Sequence, residues 1–540
     1  MIRLSDLALP LNHEPAALEA AVIARLGIAA ERLERFTVFR RGNDARKKTA
    51  IKLIYTIDAV VRDEAEVLER HHGDPHIKPT PDLTYKFPVM APEGWPKDGS
   101  APRPVVIGAG PCGLLAGLIL AQMGLKPIIF ERGKAVRDRT KDTWGLWRRA
   151  VLETESNAQF GEGGAGTFSD GKLYSRIKDP RHLGRKVLTE FVRAGAPEDI
   201  LTEAHPHVGT FRLVTMVMSI RETIESLGGE YRFGTRVEDF SIEDGQLKGL
   251  TLSTGEFLPA EHVILAVGHS ARDTFFKLHE RGVYVEAKPF AIGVRIEHPQ
   301  SWIDKARFGP NAGNPILGAA AYAISHQASN GRAVYSFCMC PGGRVVAATS
   351  EEGRVVTNGM SQYSRAEFNA NSGLVVDINP ERDFPGNPLA GVRLQRQLEE
   401  AAFVAGGSNY HAPGQRVEDL LAARPSTSFG VVQPSYKPGV KPTDLAEVLP
   451  AFVIEALREA LPVFGRQVPG YDHPDAVMTG VETRTSSPIR IRRGADLQSI
   501  NTQGLYPAGE GAGYAGGILS AAVDGIKVAE ALAAKLVAAA

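Results

Sequence analysis

Residues 105–133, VVIGAGPCGLLAGLILAQMGLKPIIFERG, read as strand, glycine turn, helix and second strand with an acid at its end. Val105 to Ile107 make a short apolar strand. Gly108, Gly110 and Gly113 then supply the tight turn, the close approach of backbone to a pyrophosphate, and the close packing of helix on strand. The helix starts near Pro111, whose missing N–H would be unpaired there anyway. Its free N–H groups and positive dipole end favour an anion. Leu114, Leu115, Leu118, Ile119 and Met123 give it an apolar face, Gly124 ends it, and Pro127 to Phe130 make the second strand. Glu131, followed by Arg132, stands where a carboxylate accepts hydrogen bonds from ribose hydroxyls. A strand before the glycines, a helix after them and an acid at this spacing define a dinucleotide-binding βαβ unit.

On the N-terminal side, residues 1–91 read as a separate α+β domain: strand (Ile2–Leu9), helix (Pro15–Leu26), two strands (Arg35–Arg40, Ile51–Val61) and helix (Asp63–His71). This is the pattern of a ferredoxin-like βαββαβ fold. Between its central strands lies a basic turn, Arg40 to Lys48. It is either a solvated hairpin tip or a docking site for an anionic partner or another domain's carboxylates. Residues 92–104, rich in Pro, Gly, Lys and Asp, read as the linker.

On the C-terminal side, Gly161 to Lys172 (GEGGAGTFSDGK) is a glycine-rich loop in which backbone at Gly166 can lie against a flat ligand, with Thr167, Ser169 and Lys172 as donors. Val237 follows a strand, and His262 to Gly268 is a buried strand ending in glycine. Residues 105–285 thus form the first part of a cofactor domain. From 286 to 475 the texture changes to β segments and irregular loops, an inserted cap or substrate domain. Residues 476–540 return, with a strand, a glycine-rich turn (Gly509, Glu510, Gly516, Gly517) and an apolar helix from Ile518. A second helix N-terminus is thereby brought back to the ligand.

A nicotinamide enzyme needs one such unit and no distant glycine motif. FAD is longer and must also be held along its ribityl chain and ring, and this chain carries both ends. Their order resembles FAD proteins with the glutathione reductase type of FAD domain, with Glu510 where that family usually places an aspartate. The stretches DARKK, GEGGAGTFSDGKL, GHSARDTF, GVRIEHPQ, FCMCPGG, VVTNGMS, ETRTSSP and GEGAGYAGGI also resemble bacterial FAD-dependent dehydrogenases with an N-terminal ferredoxin-like domain. The resemblance implies FAD as cofactor, an α/β Rossmann FAD domain with an inserted β-rich cap, an unidentified substrate, and no NAD(P)H domain.

The chain has 62 basic and 62 acidic side chains, so no global field points to nucleic acid or membrane. The N-terminus lacks the uninterrupted apolar run of a signal peptide, and Leu114 to Leu125 is too short to span a bilayer. Three cysteines are too few for a disulfide framework, so the expected location is a reducing cytoplasm. His71, His72 and His76 are loop-bound and are not read as metal ligands.

The expected chemistry is hydride or electron transfer between flavin and a small organic substrate, with an unidentified electron donor or acceptor. A flavin monooxygenase and an RNA-associated flavoprotein of the tRNA-modification type are the alternatives, the latter resting on the basic turn. Catalytic candidates are Cys338, Cys340 and Arg484, with Arg295, His298 and Ser486 behind them. Arg484 divides evenly between a buried ion pair and a ligand contact. His269 is read as structural, and Cys112 as a small packing residue close to the flavin path. Cys338 and Cys340, two apart in a β-like segment, point to one face with Cα atoms roughly 6.5 to 7 Å apart if extended. A disulfide there would need the chain to bend at Pro341-Gly342-Gly343. The pair is either redox-active or two packed thiols, and at least one is expected near the flavin ring.

Overall fold

The computed structural model describes residues 1–96 and 102–538, so residues 97–101 of the expected linker lie outside the described residues. The N-terminal unit runs in βαββαβ order. Its sheet order is Leu33–Asp44, Lys52–Val61, Ile2–Pro10, Ile77–Pro79, with every neighbour antiparallel. The alternation Ile2, Leu4 and Leu53, Tyr55, Ile57 turns one face of this sheet inward, against Leu18, Val22 and Leu26 of the first helix. The unit ends with Ile77–Pro79 rather than near 91: Tyr85, Phe87, Val89 and Ala91 already pack on the next domain's core.

That domain is built on a five-stranded parallel sheet. Val105–Ile107 is central, flanked by Ile128–Glu131 and Glu230–Phe233 on one side and by Val263–Leu265 and Leu505–Pro507 on the other. All three residues of the central strand are buried, as a parallel strand covered on both faces requires. The helix Pro111–Gln122 is buried at every position from Cys112 to Ala121, so the single apolar face read from its sequence understates its burial. The terminal helix, Ile518–Ala538, and the helix Thr210–Ser226 cover its outer side. A three-stranded antiparallel sheet (Val237–Glu243, Gln246–Leu252, Phe257–Pro259) stands beside the parallel one.

The cap centres on an eight-stranded sheet in which Phe290–Pro299 is buried along its whole length. Asn369–Ile378 and Val477–Glu482 pair with it antiparallel. Val477–Glu482 belongs to this sheet, so the return to the cofactor domain comes later than the expected boundary at 476. Two 17-residue helices, Ala390–Gly406 and Ala451–Gln467, also belong to the cap and contradict a purely β-and-loop reading of 286–475. The second carries Val453, Leu457, Ala460, Leu461 and Phe464 at helical spacing, interrupted in the sequence by Pro462.

The basic turn docks inside the molecule. The Arg41 backbone N–H donates to the Thr202 carbonyl, its guanidinium pairs with Glu203, and Asn311 Nδ2 donates to the Lys48 carbonyl. No helix among the described residues is long and apolar enough to cross a membrane.

Candidate active site

One cavity of about 480 Å³ runs from the glycine turn of the cofactor domain to the cap strands. Gly108, Gly110, Pro111, Cys112, Glu131 and Arg132 line its first end; Gly166, Lys172, Val237 and Gly268 line its flank. Glu510, Gly516, Gly517 and Ile518 close on it from the chain's return. The three glycines of the turn divide as their spacing implies. Gly108 has φ +100°, a conformation only glycine adopts readily. A Cβ on Gly113 would lie 1.8 Å from the Gly108 carbonyl oxygen, so this glycine seats helix on strand and does not face the cavity. A Cβ on Gly110 would meet nothing nearer than Gly164 Cα at 3.6 Å, so the room there is room for a ligand. Gly516 and Gly517 have no atom within 4 Å of such a Cβ.

Glu131 is buried, and its carboxylate accepts three backbone N–H groups at 2.9 Å: Gly133 and Gly161 on Oε1, Ala109 on Oε2. A carboxylate offers about four acceptor positions, so Oε2 retains one for a ribose hydroxyl. The same acid therefore ties the glycine turn, its own strand end and the glycine-rich loop into one cradle. Arg139 completes this, donating to the carbonyls of Asn157, Ala158 and Glu162 from a fully buried position. Sequence reading missed it, although Val136, Arg139, Thr143 and Leu146 share one stripe of their helix and an arginine on a buried stripe is a signal. On the return, Asp524 accepts from the Gly509 N–H at 2.7 Å and pairs with Arg493 at 2.6 Å, which holds the second glycine turn in place.

Four expected site residues do not reach the cavity. Thr167 turns inward to accept from Arg139 Nη1 at 3.3 Å. Gly113 serves packing, Gly509 faces Cys112, and Cys340 is fully buried behind Cys338. Arg484 borders the cavity, but its guanidinium is held within the protein. Nε and Nη2 grip the two oxygens of Glu399, and Nη1 donates to Ser270 and Ser350. Arg272 grips the same carboxylate from the other side. Burial works against ionising Glu399, and the two guanidiniums outweigh it and hold the carboxyl well below its ordinary range. Of the two readings of Arg484, the ion pair describes it. Arg295 and His298 are likewise interior: Arg295 pairs with Glu482 at 2.9 Å, and His298 Nε2 bonds the Tyr471 carbonyl at 2.7 Å. Ser486 accepts from Lys288 at 3.3 Å.

The cap end of the cavity is formed by Tyr322, Ser336, Phe337, Cys338, Asn358 and Glu482. Only Cys338 among these was expected: Ser336 and Phe337 precede it on its own strand, while Tyr322, Asn358 and Glu482 come from segments far apart in sequence. Glu510 lies deep in the cleft with part of its surface open to it. Burial pushes its carboxyl up to about 7, with Lys288 pulling the other way. His269 is bonded to Ser270, and burial, reinforced by Arg484 and Arg272, lowers its imidazole to about 3, so it stays neutral.

Residues 289–485 match the domain family described as "FAD-dependent protein, C-terminal domain-like", and residues 1–60 match a domain family of unknown function. A protein of Clostridium beijerinckii (strain ATCC 51743 / NCIMB 8052), itself called uncharacterized, is 47% identical over 534 residues, 98% of each chain. The chain belongs to that protein's family. Among solved structures, glycine oxidase from Geobacillus kaustophilus is similar at 12% identity over 81% of this chain and 94% of that one, with a TM-score of 0.34. L-proline dehydrogenase from P.horikoshii is similar at 14% identity over 80% and 92%, with a TM-score of 0.32. FAD is the cofactor: the domain match names it, and the glycine-lined room beside Gly110, Gly516 and Gly517 fits a long dinucleotide.

Proposed function

We propose that the chain is an FAD-dependent oxidoreductase of dehydrogenase type, which moves hydride or electrons between the flavin and a small organic substrate held at the cap end of the cavity. The observation that carries this is the continuity of one cleft from the glycine turn to the cap strands. The parallel sheet with its antiparallel side sheet supports the glutathione reductase type of FAD domain. The order and antiparallel pairing of the N-terminal strands support a ferredoxin-like unit.

When bound, FAD supplies two-electron chemistry at its ring. The protein's own part can be assigned by position. The N-terminus of the helix Pro111–Gln122 and the backbone of Gly110 would hold the pyrophosphate, and Glu131 Oε2 would accept from a ribose hydroxyl. The terminal helix, beginning at Ile518, directs the positive end of its dipole into the cleft. The cap strands cover the other end, position the substrate and exclude water. Glu510, with a carboxyl near 7, can hold or release a proton at its carboxylate oxygens near neutral pH. The basic turn spends Arg41 on Glu203 of the same molecule, which removes one cation from any RNA-facing surface and supports the metabolic reading.

Two substitutions test the assignment together. Gly110→Val adds its side chain to open cleft, so the variant should fold with a near-normal melting temperature and lose at least about tenfold in FAD affinity. Gly113→Val drives into the Gly108 carbonyl and should yield insoluble or unfolded protein. Flavin absorbance per protein and a circular-dichroism melt read both. A folded Gly110→Val protein with full flavin occupancy would overturn the site.

A further inference from the structure

The segment Phe337-Cys-Met-Cys-Pro-Gly-Gly343 is folded in a way no ordinary strand requires. Against its neighbour it pairs Phe337 with Gly373, Cys340 with Asn371 and Gly343 with Asn369, so an extra residue is taken up on each side of Cys340. Cys338 sits in the first of these bulges with φ +44°, a left-handed conformation that a cysteine rarely adopts. Extended geometry would hold the two Cα atoms at or beyond disulfide reach; a bulge shortens that span. The side chains converge accordingly. Cys340 Sγ lies 3.3 Å from the Cys338 carbonyl oxygen, to which its thiol donates.

The surroundings are equally specific. Cys338 lines the flavin cleft, while Cys340 is fully buried behind it. A Cβ on Gly359 would come within 2.9 Å of the Cys340 sulfur, so only glycine leaves that sulfur its place. Two cations hold the loop: Lys172 donates to the Met339 carbonyl, and Arg295 Nη1 donates to the Cys338 carbonyl at 2.9 Å. The neighbouring Cys340 thiol foremost, and then the charges of Lys172 and Arg295, hold the Cys338 thiol well below its ordinary value; Cys340 is driven up by the adjacent Cys338 and by burial. One nucleophilic thiolate facing a cleft and one protonated thiol behind it is the asymmetry of an attacking and a resolving cysteine.

We propose that Cys338 and Cys340 form a two-electron redox couple with the FAD of this cleft. In the oxidative direction the Cys338 thiolate and the Cys340 thiol lose two electrons and one proton and join in one S–S bond. FAD is the oxidant and takes up both electrons with that one proton, so the step balances without a further proton. The reverse step reopens the bond. The proposal rests on the FAD reading above and adds an electron store to it.

The test uses the full-length, FAD-loaded protein under anaerobic conditions. Dithionite titration should consume about four electrons per flavin in the air-oxidised protein, and about two in Cys338→Ser and in Cys340→Ser. Acid-quenched thiol counts should rise from one to three on reduction, since the chain holds three cysteines. A peptide spanning both residues should be about 2 Da lighter before reduction, a readout that needs no variant to fold. About two electrons per flavin in the wild type, with three thiols in both states, would overturn the couple while leaving the FAD assignment intact. Protein that binds no FAD would overturn the underlying reading instead.

Discussion

His298 shows how a single buried ring ties stability to pH. It lies in the fully buried central strand of the cap, with Nε2 given to the Tyr471 carbonyl and Nδ1 without a partner among the described residues. Burial, and secondarily the charge of His473, lowers it to about 4. Above about pH 6.5 the ring is neutral in both folded and unfolded chains, and it contributes no pH dependence. Between pH 6.5 and 4 the unfolded chain takes up a proton that the folded one refuses, so stability falls as pH falls, by up to about 1.4 kcal/mol per pH unit. Denaturant unfolding at pH 7.5 and pH 5 should show this loss, and His298→Asn should flatten it by about 1 kcal/mol per unit. An unchanged slope in the variant would mean that His298 titrates alike in both states. Arg139 and Glu131 make the complementary point: a residue's role here depends on what its neighbours leave unpaired.

At the scale of elements, two helices bracket the cofactor and fit each other through a glycine. Gly525 lies in the terminal helix, where a Cβ would come within 2.2 Å of the Cys112 carbonyl oxygen and 3.2 Å of the Ala116 nitrogen. Gly525→Leu must therefore push Ile518–Ala538 away from Pro111–Gln122, at a cost of about 3 kcal/mol. Both helix N-termini point at the cleft, so FAD affinity should fall along with the melting temperature. Thermal melts with and without added FAD check both effects. A variant that melts and binds like the wild type would show that the helices do not meet at this point.

Over the whole molecule, the cleft runs from the parallel sheet with its strand–glycine turn–helix unit to the cap strands. The cap sheet is antiparallel in all but one pairing, Ala412–Arg416 with Val440–Pro442, and lacks a strand–glycine turn–helix unit among the described residues. NADH and NADPH are therefore expected to reduce the flavin only slowly, without saturation at micromolar concentration. Stopped-flow bleaching at 450 nm decides this, and fast saturable reduction would place a nucleotide site in the cap. The N-terminal unit is not a free appendage, because its hairpin pairs with Arg41's partners at residues 202–204 and its apolar core is continuous with that of the cap.

The βαβ unit, the order of the N-terminal elements and the glycine return at 509–517 were legible in the sequence, because each rests on local spacing: glycines at fixed offsets, apolar periods of two and of three to four. The two cap helices were legible in principle, since their apolar residues recur at helical spacing. The role of Arg484 was not: its partner Glu399 is 85 residues away, and only packing brings Arg272 to the same carboxylate. Likewise the left-handed turn at Cys338 follows from the register that Asn369–Ile378 imposes on its neighbour, a long-range pairing that no local pattern encodes. The sequence by itself determined where a dinucleotide could be held. Tertiary structure alone decided which side chains face it, because burial and pairing depend on contacts between segments hundreds of residues apart.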